Sequence, residues 1–168
     1  ESIMKICNDF DFAIWGEGEY PLLELCKAIE DKVDDPFSVP RLVYRKDGAI
    51  KASNNCPDRF FDLNSKIFPD HDDYFRYLTT SEKKDIPVIL PIESSRGCTW
   101  NSCRFCVYAE GYVSRKKDPG VLKEEISSLI RKYGTRYFAF MDNDIAANDH
   151  ERLEMILDDL ISIRQEKD

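Results

Sequence analysis

The chain has 168 residues, 42% of them apolar, and a formal charge of -8, which is long and apolar enough for a folded core. That acidic balance weighs against broad nucleic-acid binding, tRNA included, because such binding needs a basic footprint. No run approaches the roughly 18 apolar residues of a membrane span. The opening residues 1–6 lack the apolar core of a secretory signal, so no membrane partner is expected and the cytoplasm is the default location.

Glu1 is not an initiator methionine, and the first residues read as the last turn of a helix, so the chain is expected to be a piece of a longer protein. Residues 10–15 alternate weakly as a strand. Gly16-Glu17-Gly18-Glu19 then turns the chain into a helix opened by Pro21, which suits a first helical position. Leu22, Leu25, Cys26 and Ile29 share one face of that helix and are the expected buried stripe. A phosphate cradle is the competing role for the glycine loop, but Glu17 and Glu19 would repel an anion and the third glycine is missing, which favours a tight turn.

A polar run through Asp34-Asp35-Pro36 leads to two short strands flanking Lys46-Asp47-Gly48, a hairpin signal because both turn residues tolerate positive φ. From Ser53 to Asp70 the pattern is irregular, broken by Pro57 and Pro69, and reads as a connection before a short helix over residues 74–78. His71, alone among aspartates, is expected on the surface rather than on a metal.

The second half has a cleaner rhythm. Val88-Ile89-Leu90 is an apolar strand, and Asp118 and Pro119 open a helix that ends near Lys132 and Gly134, with Leu122, Ile126, Leu129 and Ile130 buried. Residues 137–141 form the next strand. Asn148 with Glu151 three residues on gives a capping-box pattern for a last helix, whose expected stripe is Leu153, Ile156, Leu157, Leu160 and Ile161. Strand, helix, strand, helix makes two parallel βα units.

Between the first of those strands and its helix stand Cys98, Cys103 and Cys106, within nine residues. The other cysteines, Cys7, Cys26 and Cys56, are scattered and expected to be buried thiols. Three thiolates suit an iron–sulfur cluster with one iron left open for a ligand. Structural zinc is the alternative. It takes four ligands in a closed site, and Cys56, His71 and His150 are all distant candidates for the fourth. Arg96, Arg104, Arg115, Lys116 and Lys117 crowd the loop, where they either stabilise thiolates or a bound carboxylate or form a solvated basic surface.

The cysteine run resembles the radical SAM enzymes, whose usual signature is C-x3-C-x2-C with an aromatic residue before the last cysteine; Phe105 takes that place, and the first gap is one residue longer. The runs 91–98, 114–117 and 16–19 look like the subgroup that carries a cobalamin-binding domain, and the runs 69–75 and 142–145 look like members that modify ribosomally made peptides. The resemblance implies an α/β chain built from the tail of a doubly wound domain and a linker hairpin, followed by the first two βα units of a partial (βα) barrel. The divisions expected are residues 1–35 for the end of a cobalamin-binding-like domain, 36–85 for a linker with the hairpin, and 86–168 for the start of the barrel.

By that resemblance Cys98, Cys103 and Cys106 would hold three irons of a 4Fe-4S cluster. S-adenosylmethionine would bind the fourth, accept one electron and release a 5′-deoxyadenosyl radical. Phe105 would pack near the adenine, and Arg115, Asp142 and Asn143 are candidate contacts to the bound sulfonium cofactor. Cobalamin is implied through an upstream domain, with methyl transfer to carbon or peptide modification as the outcome and a small molecule or a peptide as substrate. The competing reading is a zinc-binding or structural interaction module. Two βα units do not close a barrel, so the isolated chain is expected to be inactive and to self-associate through open sheet edges.

Overall fold

The structure, a computed structural model, describes residues 2–53, 60–80, 87–106 and 113–165. The expectations for Cys56 and Pro57 lie outside these residues. The chain divides into two compact units, Glu1–Asp62 and Leu63–Asp168. No helix among the described residues is long and apolar enough to cross a membrane.

The first unit runs α1 (Ser2–Ile6), β1 (Phe12–Ile14), α2 (Glu19–Glu30), a 3-10 turn at Pro36–Ser38, β2 (Leu42–Lys46) and β3 (Ala49–Ala52). Its three strands are ordered β1-β2-β3 and pair antiparallel, so the hairpin is hydrogen-bonded directly to the first strand. Lys46 faces Ala49 across the turn, with Asp47 at φ 54° and Gly48 at φ 75°, the left-handed pair that the Asp-Gly sequence predicts. Gly16 is also left-handed, at φ 77°, in keeping with a tight turn before α2.

Leu25, Val39, Leu42 and Tyr44 form the core of this unit, with Ile14 and Ala28 against it. The Tyr44 hydroxyl donates to Asp35 at 2.6 Å; burial, reinforced by that carboxylate, pushes the phenol up to about 12. The buried face of α2 differs from expectation. The helix begins at Glu19, before Pro21. Pro21, Leu25 and Ala28 face inward, whereas Leu22, Cys26 and Ile29 are exposed, because Leu25 and Ala28 are the side chains that pack on the core of this unit. The scattered thiols are likewise not buried: Cys26 is exposed and Cys7 half-buried.

The second unit runs α3 (Asp72–Thr80), β4 (Ile89–Ile92), β5 (Ser95–Arg96), β6 (Arg115–Lys116), α4 (Pro119–Tyr133), β7 (Tyr137–Phe140) and α5 (His150–Gln165). β4 and β7 are parallel neighbours, joined through α4, with Ile92 level with Phe140. Leu90 and Ile92 of β4 pack on Leu122, Ile126, Leu129 and Ile130 of α4 and on Ile156 and Ile163 of α5, forming the core. The start and stop signals of α4 hold, with Pro119 in the first turn and Gly134 left-handed at the end, but Asp118 makes no side-chain cap. Instead its backbone N–H donates to Asn64 Oδ1 at 2.8 Å.

α5 begins one residue later than its capping-box reading. Asp149 Oδ1 accepts from the N–H of Arg152 at 3.1 Å, while Asn148 sits at φ 54° outside the helix. Its inward stripe is Arg152, Ile156 and Ile163 with Leu160 half-buried, whereas Leu157 and Ile161 are exposed. His71 is not a free surface residue. Its half-buried ring meets Tyr133 edge-on at 6.0 Å, and the backbone N–H of His71 donates to the Tyr133 hydroxyl at 2.9 Å.

Candidate metal and cofactor site

Because β4 and β7 are parallel and level at their ends, the chain leaves both at one edge of the sheet, with the N–H of Met141 extending the ladder to the Ile92 carbonyl at 2.9 Å. In parallel α/β architectures that edge is where ligands bind. The cysteine-bearing segment starts there.

β5 and β6 form an antiparallel clip, Ser95 opposite Lys116 and Arg96 opposite Arg115, which closes the base of residues 97–114. Gly97 opens that loop at φ 84°. A Cβ there would stand 2.9 Å from the Val113 carbonyl oxygen, so the close approach of the two loop limbs requires glycine.

The segment after β7 fastens the clip. Asp142 Oδ1 accepts from the hydroxyls of Ser94 at 2.6 Å and Ser95 at 2.7 Å, and both its oxygens lie 3.1 Å from the Ser94 N–H. Asp144 Oδ2 accepts from the Thr99 hydroxyl at 2.5 Å and from its N–H at 3.3 Å, and Oδ1 from the Ala147 N–H at 3.0 Å. The Thr99 hydroxyl, followed by the Ala147 and Thr99 amides and the Lys116 charge, holds the Asp144 carboxyl below the usual range. Asp142, a candidate cofactor contact by the resemblance, and Asp144 therefore both bind the root of the cysteine loop.

The three loop thiols are free and half-buried. The Cys106 N–H donates to the Cys103 carbonyl at 3.1 Å, making a single turn of the C-x-x-C segment. Among the described residues no three histidine, cysteine or acidic side chains are gathered as one ligand set, so the thiols share a loop without converging. As a donor set they fit a thiolate-held cluster: three reduced sulfurs, on one loop, fastened at its base.

Phe105 is 89% exposed and Trp100 71% exposed, so the aromatic before the last cysteine does not support the loop from inside. Asn143 is exposed and Arg115 half-buried. The basic residues of the loop are largely committed to carboxylates. Arg96 pairs with Glu93 at 2.7 Å, Lys116 with Asp149 at 3.0 Å, and Lys117 with the buried Glu125. Arg104 is exposed. One contributor escaped sequence reasoning: Arg152, which lies in phase with Ile156 on the apolar face of α5 and is 6% exposed. A charge on a buried stripe was the available signal.

No family model matches the chain. The chain is 27% identical over 159 residues to an uncharacterized methyltransferase of Pyrococcus horikoshii, spanning 94% of itself and 33% of that relative. In structure it superposes on TsrM of Kitasatospora setae, a radical S-adenosylmethionine methyltransferase with cobalamin and a [4Fe-4S] cluster bound, with TM-score 0.65, 17% identity, and coverage of 94% of this chain and 31% of that one. On OxsB, a cobalamin-dependent S-adenosylmethionine radical enzyme with aqua-cobalamin and S-adenosylmethionine bound, the TM-score is 0.71 at 18% identity, covering 95% of this chain and 22% of that one. The chain shares its fold with cobalamin-dependent radical SAM enzymes. It spans about a third of the curated relative's length and less than a third of either solved one.

Proposed function

We propose that this chain supplies the cluster-binding part of a radical SAM enzyme, with Cys98, Cys103 and Cys106 as the ligands of a 4Fe-4S cluster. The observation that carries the proposal is the placement of three free thiols on one loop, at the carboxyl edge of parallel β4 and β7, within a fold shared with enzymes of that chemistry. Such a cluster, when bound, supplies the electron that cleaves S-adenosylmethionine reductively. The work of this chain's residues is to hold and orient.

Asp142 and Asp144 fix the loop root against the β7 end, and Cys98, Cys103 and Cys106 on that loop would hold the cluster. Asn143 and Arg115, on the strand-end segment and on the clip, are the proposed contacts to the cofactor's amino-acid moiety; Asp142, already bonded to two serines, acts there by positioning its neighbour. Phe105 and Trp100, exposed on the loop, offer aromatic surface to the adenine and to the substrate. We assign residues 1–35 to the end of a cobalamin-binding domain, 36–85 to a linker and 86–168 to the start of the barrel, in a cytoplasmic enzyme that carries out cobalamin-dependent methylation of a small molecule or peptide. A second structure of TsrM holds a tryptophan substrate and a SAM analogue, which favours a small molecule.

Anaerobic reconstitution followed by metal and sulfide analysis tests the assignment. Iron with equivalent sulfide is expected, and Cys98→Ala should lose it. Stoichiometric zinc without iron would defeat the proposal in favour of a structural zinc module, and unchanged iron in Cys98→Ala would show the ligands to be misassigned.

A further inference from the structure

Arg152 stands in the first turn of α5, and its guanidinium is buried where an apolar side chain would continue the stripe to Ile156. Burying such a charge costs stability unless its donors are used. All three nitrogens are used. Nε donates to the Lys117 carbonyl at 3.0 Å, Nη1 to the Ile145 carbonyl at 3.1 Å and Nη2 to the Ser94 carbonyl at 2.6 Å.

These acceptors lie on three separate segments. Ser94 leads into the cysteine loop, Lys117 follows it, and Ile145 belongs to the chain between β7 and α5. The Ser94 carbonyl also accepts from the Lys117 N–H at 2.8 Å, so the guanidinium closes over the point where the two limbs of the loop meet. The same helical turn contributes a second tie, since Asp149, which caps the N–H of Arg152, pairs with Lys116 of the clip.

We propose that Arg152 is the positioning residue of the cysteine loop, a three-way clasp that fixes both limbs of the loop to the end of β7 and so sets where the three thiols stand. This deepens the radical SAM reading and rests on it for the identity of the metal. A planar fork is required, because the donors of a lysine issue from one nitrogen and cannot span carbonyls on three segments.

The test uses metal-free protein under anaerobic conditions and compares wild type with Arg152→Lys and Arg152→Gln. Two quantities are read: hydrogen exchange at the backbone amides of Ser94, Thr99 and Lys117, and cadmium binding followed by thiolate-to-metal charge-transfer absorption. Arg152→Lys keeps the charge and serves as the variant that folds; exchange at the Leu129 and Ile130 amides within α4 reports that the core is intact. The three loop amides should exchange at least about tenfold faster in Arg152→Lys while the α4 amides are unchanged. Its cadmium affinity should fall by about tenfold or more, as when a group that orients metal ligands is removed. Wild-type exchange at the loop amides, or wild-type cadmium affinity, in Arg152→Lys would overturn the proposal. Accelerated exchange with weakened cadmium binding, in a protein whose wild type takes up no iron and sulfide, would support the clasp and overturn the radical SAM reading.

Discussion

The Asp144 carboxylate shows how single residues hold the site together. Its acidity is raised by hydrogen bonds that exist only when Thr99 and Ala147 are folded around it. A carboxyl depressed below its ordinary 3.8 contributes stability that is present above that value and lost as pH falls through the lower folded value. Asp144→Asn removes the contribution at neutral pH and with it the titration. The gap in thermal midpoint between wild type and Asp144→Asn should therefore shrink as pH drops from about 5 to about 2. A constant gap across that range would show that the carboxylate charge is not what Thr99 binds.

At the scale of elements, α5 offers the sharpest test of local signals. Asp149→Ala should cost about 0.5–2 kcal/mol because it removes the bonded cap, whereas Asn148→Gly at a left-handed position should be near neutral or slightly stabilising. Chemical denaturation of both variants measures this, and the reverse order would restore Asn148 as the cap. The element order was legible in the sequence wherever periodicity and punctuation agree. In α4 the stripe Leu122, Ile126, Leu129 and Ile130, the opening Pro119 and the closing Gly134 all fall as read. The Asp-Gly hairpin was equally plain, since its backbone needs are local.

What the sequence did not reveal is tertiary. Helical phase in α2 and α5 is ambiguous by one residue when apolar side chains sit on two faces, and the neighbouring strands decide which face turns in. The cysteine run and the aspartates after β7 stood out in the sequence, but what the aspartates bind did not. Asp142 looks like a cofactor contact, and Asp144 like part of a turn or cap, until the serines and threonine that bind them are placed nearby by β4 and β7 pairing. Arg152 carries no motif, and only the burial of its side chain announces a task.

At the scale of the molecule, the second unit rests on a parallel sheet of two strands among the described residues, which is an uncommonly small one. Ile89, Tyr137, Met141, Leu157 and Ile161 are large apolar side chains left exposed on or next to its strands and last helix. Exposed edges and apolar surface of this kind favour pairing with a second copy. The isolated chain should therefore show a concentration-dependent increase of mass in light scattering. A monodisperse monomer over the accessible concentration range would count against it.

The clip at β5 and β6 also bears on the gap between Cys98 and Cys103, which is one residue longer than in the radical SAM signature that the run resembles. A lariat knotted at its neck takes up added length within its own noose, so neither the ladder of β4 with β7 nor the start of α4 is displaced. Asn101, in that longer gap, adopts φ 43°, a backbone state that asparagine tolerates better than most side chains. Spacing within the loop is thereby uncoupled from the scaffold, so that the loop can change in length while the β4 and β7 strands beneath it stay in register.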